Sequence, residues 1–183
     1  MLKSERVTLR AIEREDLKRL HELRRNVELM LLGFGEWQPR PLAAIEKMFE
    51  KHLDDQDHAW FAIEIDATVV GECGLHDRDR RSRVAALGIG IYDPDYVGRG
   101  YGREAAGLLL DWAFHIQNYE RIWLDTWATN ERAIRCYQAL GFIEEGRMRR
   151  QLFIDGQNVD MVLMGLLRDE WRAQQKGGRR ATR

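Results

Sequence analysis

Hydrophobic and polar positions follow two periods along this chain, and the switches between them mark the elements. Residues 7–12 (VTLRAI) read as a short strand. Residues 15–26 place Leu17, Leu20 and Leu23 at spacings of three behind acids in the first turn, which predicts a helix. Gly33, Gly35, Pro39 and Pro41 break the pattern before a second helix over 42–53, with Ile45, Met48, Phe49 and Leu53 on one face. Residues 60–65 and 68–75 are β-rich runs on either side of Asp66-Ala67, a predicted hairpin, and the polar run 76–83 (HDRDRRSR) is a predicted loop.

Residues 84–92 (VAALGIGIY) form an apolar strand with two glycines, closed by Asp93-Pro94-Asp95. A glycine-spaced stretch follows. A helix is then predicted over 103–117, its apolar face made of Ala106, Leu109, Leu110, Ala113 and Ile116. Residues 121–128 alternate as a strand. Residues 131–140 form a helix with Ala133, Tyr137 and Leu140 on one side and Gly141 just past its end. Residues 143–154 and 159–167 are strands joined at Asp155-Gly156, a hairpin turn. This order predicts an α+β domain with a mixed sheet.

Composition narrows the reading. A chain of 183 residues is about one domain, here 1–170, followed by a basic tail over 171–183 that is expected to be flexible. Lys and Arg number 29 against 30 Asp and Glu, so net charge is −1 and a general nucleic-acid binder is excluded. No apolar run has the length of a membrane span, and the charged N-terminus lacks the apolar core of a secretory signal. Cys73 and Cys136 are far apart and in no metal-ligand pattern, so no metal is expected. Together these features predict a cytoplasmic protein.

The chemistry begins at Tyr96 to Gly107, YVGRGYGREAAG. A Walker A loop needs Lys-Ser/Thr after its last glycine, and Arg103-Glu104 stands there instead. The dinucleotide fingerprint needs a sixth-place glycine, and counting from Gly98 puts Arg103 there. What remains is a strand, a glycine turn and a helix start. Unpaired N–H groups at a helix start attract an anion such as a pyrophosphate, although a plain structural turn fits the same pattern.

A second segment, 128–142 (ATNERAIRCYQALGF), places Asn130 where its side chain caps a helix. Tyr137 stands seven residues on, two turns along the same side. Together, Val97-Gly98-Arg99-Gly100-Tyr101-Gly102, Asn130, Ala133, Tyr137 and Gly141-Phe142 resemble the two signature segments of GNAT-type N-acetyltransferases. Within that superfamily the chain is similar to the ribosomal-protein alanine and the spermidine N-acetyltransferases, the latter through LRAIEREDL, KHLDDQ and FIDGQ.

The resemblance implies a mostly antiparallel seven-stranded sheet flanked by about four helices, and acetyl-CoA as co-substrate. It implies that Gly98 to Gly102, with Val97, Arg99 and Tyr101, hold the pyrophosphate, that Ile89, Gly90 and Ile91 pair with the pantetheine arm, and that Asn130 contacts that arm or a water. Tyr137 would protonate the departing thiolate, its hydroxyl having an ordinary pKa near that of a thiol. Gly88 and Gly90 would either favour a bulge that splays the strands or mark a crowded packing spot.

Many relatives carry a Glu where Ala86 stands, which leaves a base from elsewhere, a water relay to bulk or an amine that is already neutral; Glu72, His76 and Asp77 are candidates by position. The implied acceptor is a primary amine, of a small molecule or of a protein N-terminus. The loop 33–41 (GFGEWQPRP) and Trp127 are candidate walls for it. Glu46, Glu50, Asp54, Asp55 and Asp57 would suit a polyamine, or simply form a solvated helix face. A non-catalytic CoA-binding module is the alternative of another class, and a homodimer is the expected assembly.

Overall fold

The computed structural model describes residues 1–34, 36–53 and 59–180. Gly35, Asp54, Asp55 and Asp57, named above, and the last three residues of the tail lie outside that set. Eight strands form one sheet: β1 (Leu2–Lys3), β2 (Thr8–Ala11), β3 (Ala59–Ile65), β4 (Thr68–Asp79), β5 (Val84–Ile91), β6 (Arg121–Trp127), β7 (Ile143–Ile154) and β8 (Gln157–Leu167), in the order β1-β2-β3-β4-β5-β6-β8-β7. The helices are α1 (Asp16–Leu23), α2 (Val27–Phe34), α3 (Leu42–His52), α4 (Tyr101–Asp111), α5 (Glu131–Ala139) and α6 (Arg168–Arg180). Every neighbouring strand pair is antiparallel except β5 and β6.

The fold class is the one the sequence predicts, with three differences of physical origin. The eighth strand is the two-residue β1, too short to show a period. Helix α2 (VELMLLGF) was hidden because it is apolar on nearly every side and so lacks a polar face. Residues 76–79 continue β4 rather than forming a loop, because His76 and Asp79 pair with Ala86 and Val84.

One core face is built from α4, whose Ala105, Ala106, Leu109 and Leu110 are fully buried in the same core cluster as Leu87 of β5 and Leu124 of β6. A π-helical turn, Trp112–Ile116, ends this helix. Its wider turn shifts the helical phase, so Phe114 is buried while Ile116, expected on the apolar face, is exposed.

The expected boundary at residue 170 lies within a helix. The tail begins inside α6, with Trp171 buried and its indole N–H donating to Asp111 Oδ1 at 2.8 Å. That large apolar ring anchors the start of a stretch that is otherwise rich in basic and amide side chains. Among the described residues no helix is long and apolar enough to cross a membrane.

Candidate active site

The glycine turn sits between a short 3-10 turn (Pro94–Tyr96) and α4. Gly98 has φ +78° and Gly100, at the N-cap of α4, has φ +87°. A Cβ would find open space at Gly98 and only Arg6 Nη2, at 3.7 Å, at Gly100. Backbone conformation rather than crowding therefore demands glycine at both places. Gly102 has ordinary φ, and a Cβ there would touch Ile91 Cγ1 at 3.7 Å. The first N–H groups of α4 carry no intrahelical partner and the positive end of the helix dipole, and Arg99 and Arg103 are exposed beside them.

Sequence reading missed a contribution from the N-terminus. Glu104, in the first turn of α4, accepts from Ser4 Oγ at 2.6 Å and from Arg6 Nε at 2.9 Å. Arg6 also lies over the Tyr101 ring, 4.9 Å from its centre, and its Nη1 reaches the Arg99 carbonyl at 3.5 Å. Burial pushes the Glu104 carboxyl up, but the Ser4 and Arg6 hydrogen bonds outweigh it and hold the group below its ordinary value. The guanidinium stands almost a hundred residues from the turn it serves, so no local pattern announced it.

A gap opens next to this turn. β5 and β6 pair only at Val84↔Arg121, Ala85↔Ile122 and Ala86↔Trp123. Beyond Ala86, the edge of β5 facing β6 has no ladder partner, while its other edge pairs Ile89, Gly90 and Ile91 with Cys73, Glu72 and Gly71 of β4. That free edge can accept an added extended segment. The glycines of β5 do not cause the gap. Their register with β4 is regular, and a Cβ at Gly90 would sit 2.1 Å from the Tyr92 ring and one at Gly88 2.9 Å from Trp60. They are packing positions, and the bulge expectation does not hold.

The far end of β6 is tied elsewhere. Trp127 Nε1 and Asn130 Nδ2 both donate to the Leu32 carbonyl of α2, at 2.6 and 2.9 Å. Asn130 Oδ1 accepts from the Ala133 N–H at 3.2 Å, as a cap. Its amide thus serves helix and tertiary structure at once.

Tyr137 is packed edge-on against Phe142, with 9 % of its surface exposed, and its hydroxyl makes no hydrogen bond among the described residues. Burial, then the nearby Cys136 and Asp125, push its pKa well above the ordinary tyrosine value, so the expected match to a thiol does not hold in the free protein. The phenol stays protonated through the neutral range.

On the opposite face of the sheet, α1 and α3 cover a cavity of about 500 Å³. Leu17, Leu20, Ile45, Phe49, Trp60 and Leu75 make most of it apolar; Arg24, Glu72, His76 and Asp77 supply polar groups. Glu72 is already satisfied: Arg24 Nη2 and, at 3.1 Å, the Tyr92 hydroxyl both donate to its Oε1. His76 pairs with Ala86, where the β5–β6 ladder ends, and its Nδ1 is 3.1 Å from Asp77 Oδ2.

Among the described residues of 33–41 none lines this cavity; α3 does. Its described part is pinned to α1, with Trp37 Nε1 donating to the Arg24 carbonyl at 3.1 Å and His21 Nε2 2.8 Å from the Arg40 carbonyl. Glu50 is exposed and pairs with Arg14 at 3.2 Å, as a solvated helix face would.

A glycine turn before a central helix and a parallel strand pair that parts beyond Ala86 are features of an acyltransferase fold, and comparison with known proteins agrees on that class. Residues 6–143 match the acetyltransferase (GNAT) domain, and the chain belongs to that family. It is an N-acetyltransferase.

It is 32 % identical over 170 residues to spermidine N(1)-acetyltransferase of Escherichia coli K12, covering 93 % of this chain and 90 % of that one. It is 27 % identical to the putative ribosomal N-acetyltransferase YdaF of Bacillus subtilis, over 93 % of this chain and 96 % of the relative. Among solved structures, spermidine N-acetyltransferase from Vibrio cholerae in complex with CoA and spermine superposes with a TM-score of 0.86 at 29 % identity, covering 92 % of this chain and 99 % of that one.

Proposed function

We propose that the protein transfers the acetyl group of acetyl-CoA to the primary amine of a small molecule, by direct attack of the amine on the thioester. The observation that carries this reading is the loss of β5–β6 pairing beyond Ala86 and Trp123, which leaves a free strand edge running toward the glycine turn. Along that edge Ile89, Gly90 and Ile91 would pair with the pantetheine arm. Val97 to Gly102 would receive the pyrophosphate on backbone N–H groups, with Arg99 and Tyr101 at its sides, and Asn130 would border the arm.

Tyr137 would act as a relay. A buried phenol whose phenolate is unfavourable still transfers a proton if it gives one to sulfur while taking one from nitrogen. Its unbonded hydroxyl supports that role.

The acceptor we infer has an apolar body and few charges. Most of the described lining is apolar, and of its two carboxylates Glu72 is met by Arg24 and Asp77 lies beside His76. The spermidine enzymes among the relatives are thus a guide to the reaction more than to the acceptor. One relative from Vibrio cholerae is described as dodecameric, and exposed Met148 and Phe153 on β7 support self-association here as well.

The test is thiol release from acetyl-CoA with a panel of arylalkylamines, alkylmonoamines, spermidine and short peptides. Turnover with the apolar monoamines is the expected result. CoA binding with no turnover on any amine would instead make the protein a CoA-binding module.

A further inference from the structure

An alkylamine is an ammonium ion at neutral pH, with a pKa of about 10.4, and must lose a proton before it attacks. Strand β5 (VAALGIGI) holds no titratable side chain, so the proton acceptor has to come from a neighbouring element. We infer that His76 is that acceptor, with Asp77 positioning its ring. The inference rests on the acetyl-transfer reading above.

His76 pairs with Ala86, which is also the last residue of β5 to pair with β6, so it stands at the apex of the gap. Its ring meets Trp123 of β6 edge-on, 6.4 Å between centres. Its Nδ1 lies 3.1 Å from Asp77 Oδ2. A carboxylate there accepts the Nδ1 proton, which leaves Nε2 as the basic nitrogen. The ring's Cδ2, the carbon bonded to Nε2, lies 3.5 Å from where a Cβ on Gly88 would be, so that atom is turned to β5.

Asp77 itself has φ +46°, an uncommon conformation for a residue other than glycine, and it holds the carboxylate beside the ring. The surrounding charged and titratable groups are Asp77, Arg78 and Glu72 on the same strand, Arg24 just past the end of α1, His52 of α3 and Asp125 of β6. The rest are poor rivals. Glu72 is paired, His52 Nδ1 lies 2.7 Å from the Met48 carbonyl, and Asp125 is not part of the described cavity lining.

The protons balance. His76 takes one from the ammonium and passes it to solvent. The neutral amine then forms the C–N bond and the C–S bond breaks. The thiolate receives the Tyr137 proton, and the second amine proton restores the Tyr137 hydroxyl.

The experiment compares His76→Gln with the parent on two acceptors, an alkylamine and an amine of low basicity that is already neutral at neutral pH. Calorimetric titration with CoA checks that the variant keeps its fold and its cofactor affinity. We expect kcat/KM for the alkylamine to fall about 10²-fold or more, the loss to shrink as pH rises, and the low-basicity amine to be spared. Asp77→Asn should give the same pattern with a smaller loss, and decides the matter if His76→Gln fails to bind CoA. An equal loss on both amines, or no loss on the alkylamine, would overturn the assignment. A parent enzyme that acetylates neither amine overturns the acetyl-transfer reading itself.

Discussion

The side-chain amide of Asn130 donates to the carbonyl oxygen of Leu32 at 2.9 Å, across 98 positions of sequence. This bond joins the start of α5 to α2, while the same side chain caps α5. Asn130→Ala should lose the cap, about 1 kcal/mol, and the tertiary hydrogen bond, roughly another 1 kcal/mol. Asn130→Ser keeps an oxygen for the cap but lacks an amide to reach Leu32. Thermal unfolding should rank the parent above Ser and Ser above Ala; equal melting for Ser and parent would show that the Leu32 bond contributes nothing.

Tyr137→Phe removes a hydroxyl that has no hydrogen-bond partner among the described residues and leaves the ring on Phe142. The melting temperature should therefore hardly move, while kcat falls about 10²-fold or more if the hydroxyl relays the proton. Paired melting and steady-state measurements on one preparation check both halves.

The three glycines of the turn should respond differently. Alanine at Gly98 or Gly100 must adopt φ near +80°, at a cost of about 1–2 kcal/mol each. Both variants should bind CoA more weakly, because the turn itself is displaced. Gly102→Ala meets only an ordinary contact with Ile91 and should keep its stability. Equal destabilisation at all three positions would show that space rather than φ matters.

Gly90→Ala puts a methyl 2.1 Å from the Tyr92 ring, whose hydroxyl donates to Glu72. Overpacking of this kind costs about 1–3 kcal/mol. Gly88→Ala, 2.9 Å from the outer edge of Trp60, should cost less. Denaturant unfolding of the two variants tests the order.

The clamp on α4 predicts an acid dependence. Despite burial, Ser4 and Arg6 hold Glu104 below its ordinary value of 4.5. A carboxyl with a lowered folded value contributes stability that is fully present above the unfolded value and disappears as pH falls through the folded one. The parent should lose stability there, and Glu104→Gln, which lacks the group, should show a flatter curve. Melting followed from neutral pH downward compares them.

Sequence by itself determined most of the elements, because each has a local cause. Leucines at spacings of three produce α1, Asp155-Gly156 turns β7 into β8, and Asn130 and Gly141 bracket α5. The helix-start anion site was equally legible, since glycines that need positive φ and a helix N-terminus lie within a few residues of each other. What resisted was either unpatterned or non-local. Helix α2 is apolar all round, and the π-helical turn rotates Ile116 outward without any residue that signals it.

Only the tertiary structure decided that Arg6 clamps the glycine turn, that Arg24 neutralises Glu72, that the β5 glycines make room for Trp60 and Tyr92, and that His76 stands opposite Ala86. Each of these depends on strand register or on contacts between distant segments. A pattern of local periods fixes which face a residue takes, but not which residue from another strand it will meet there.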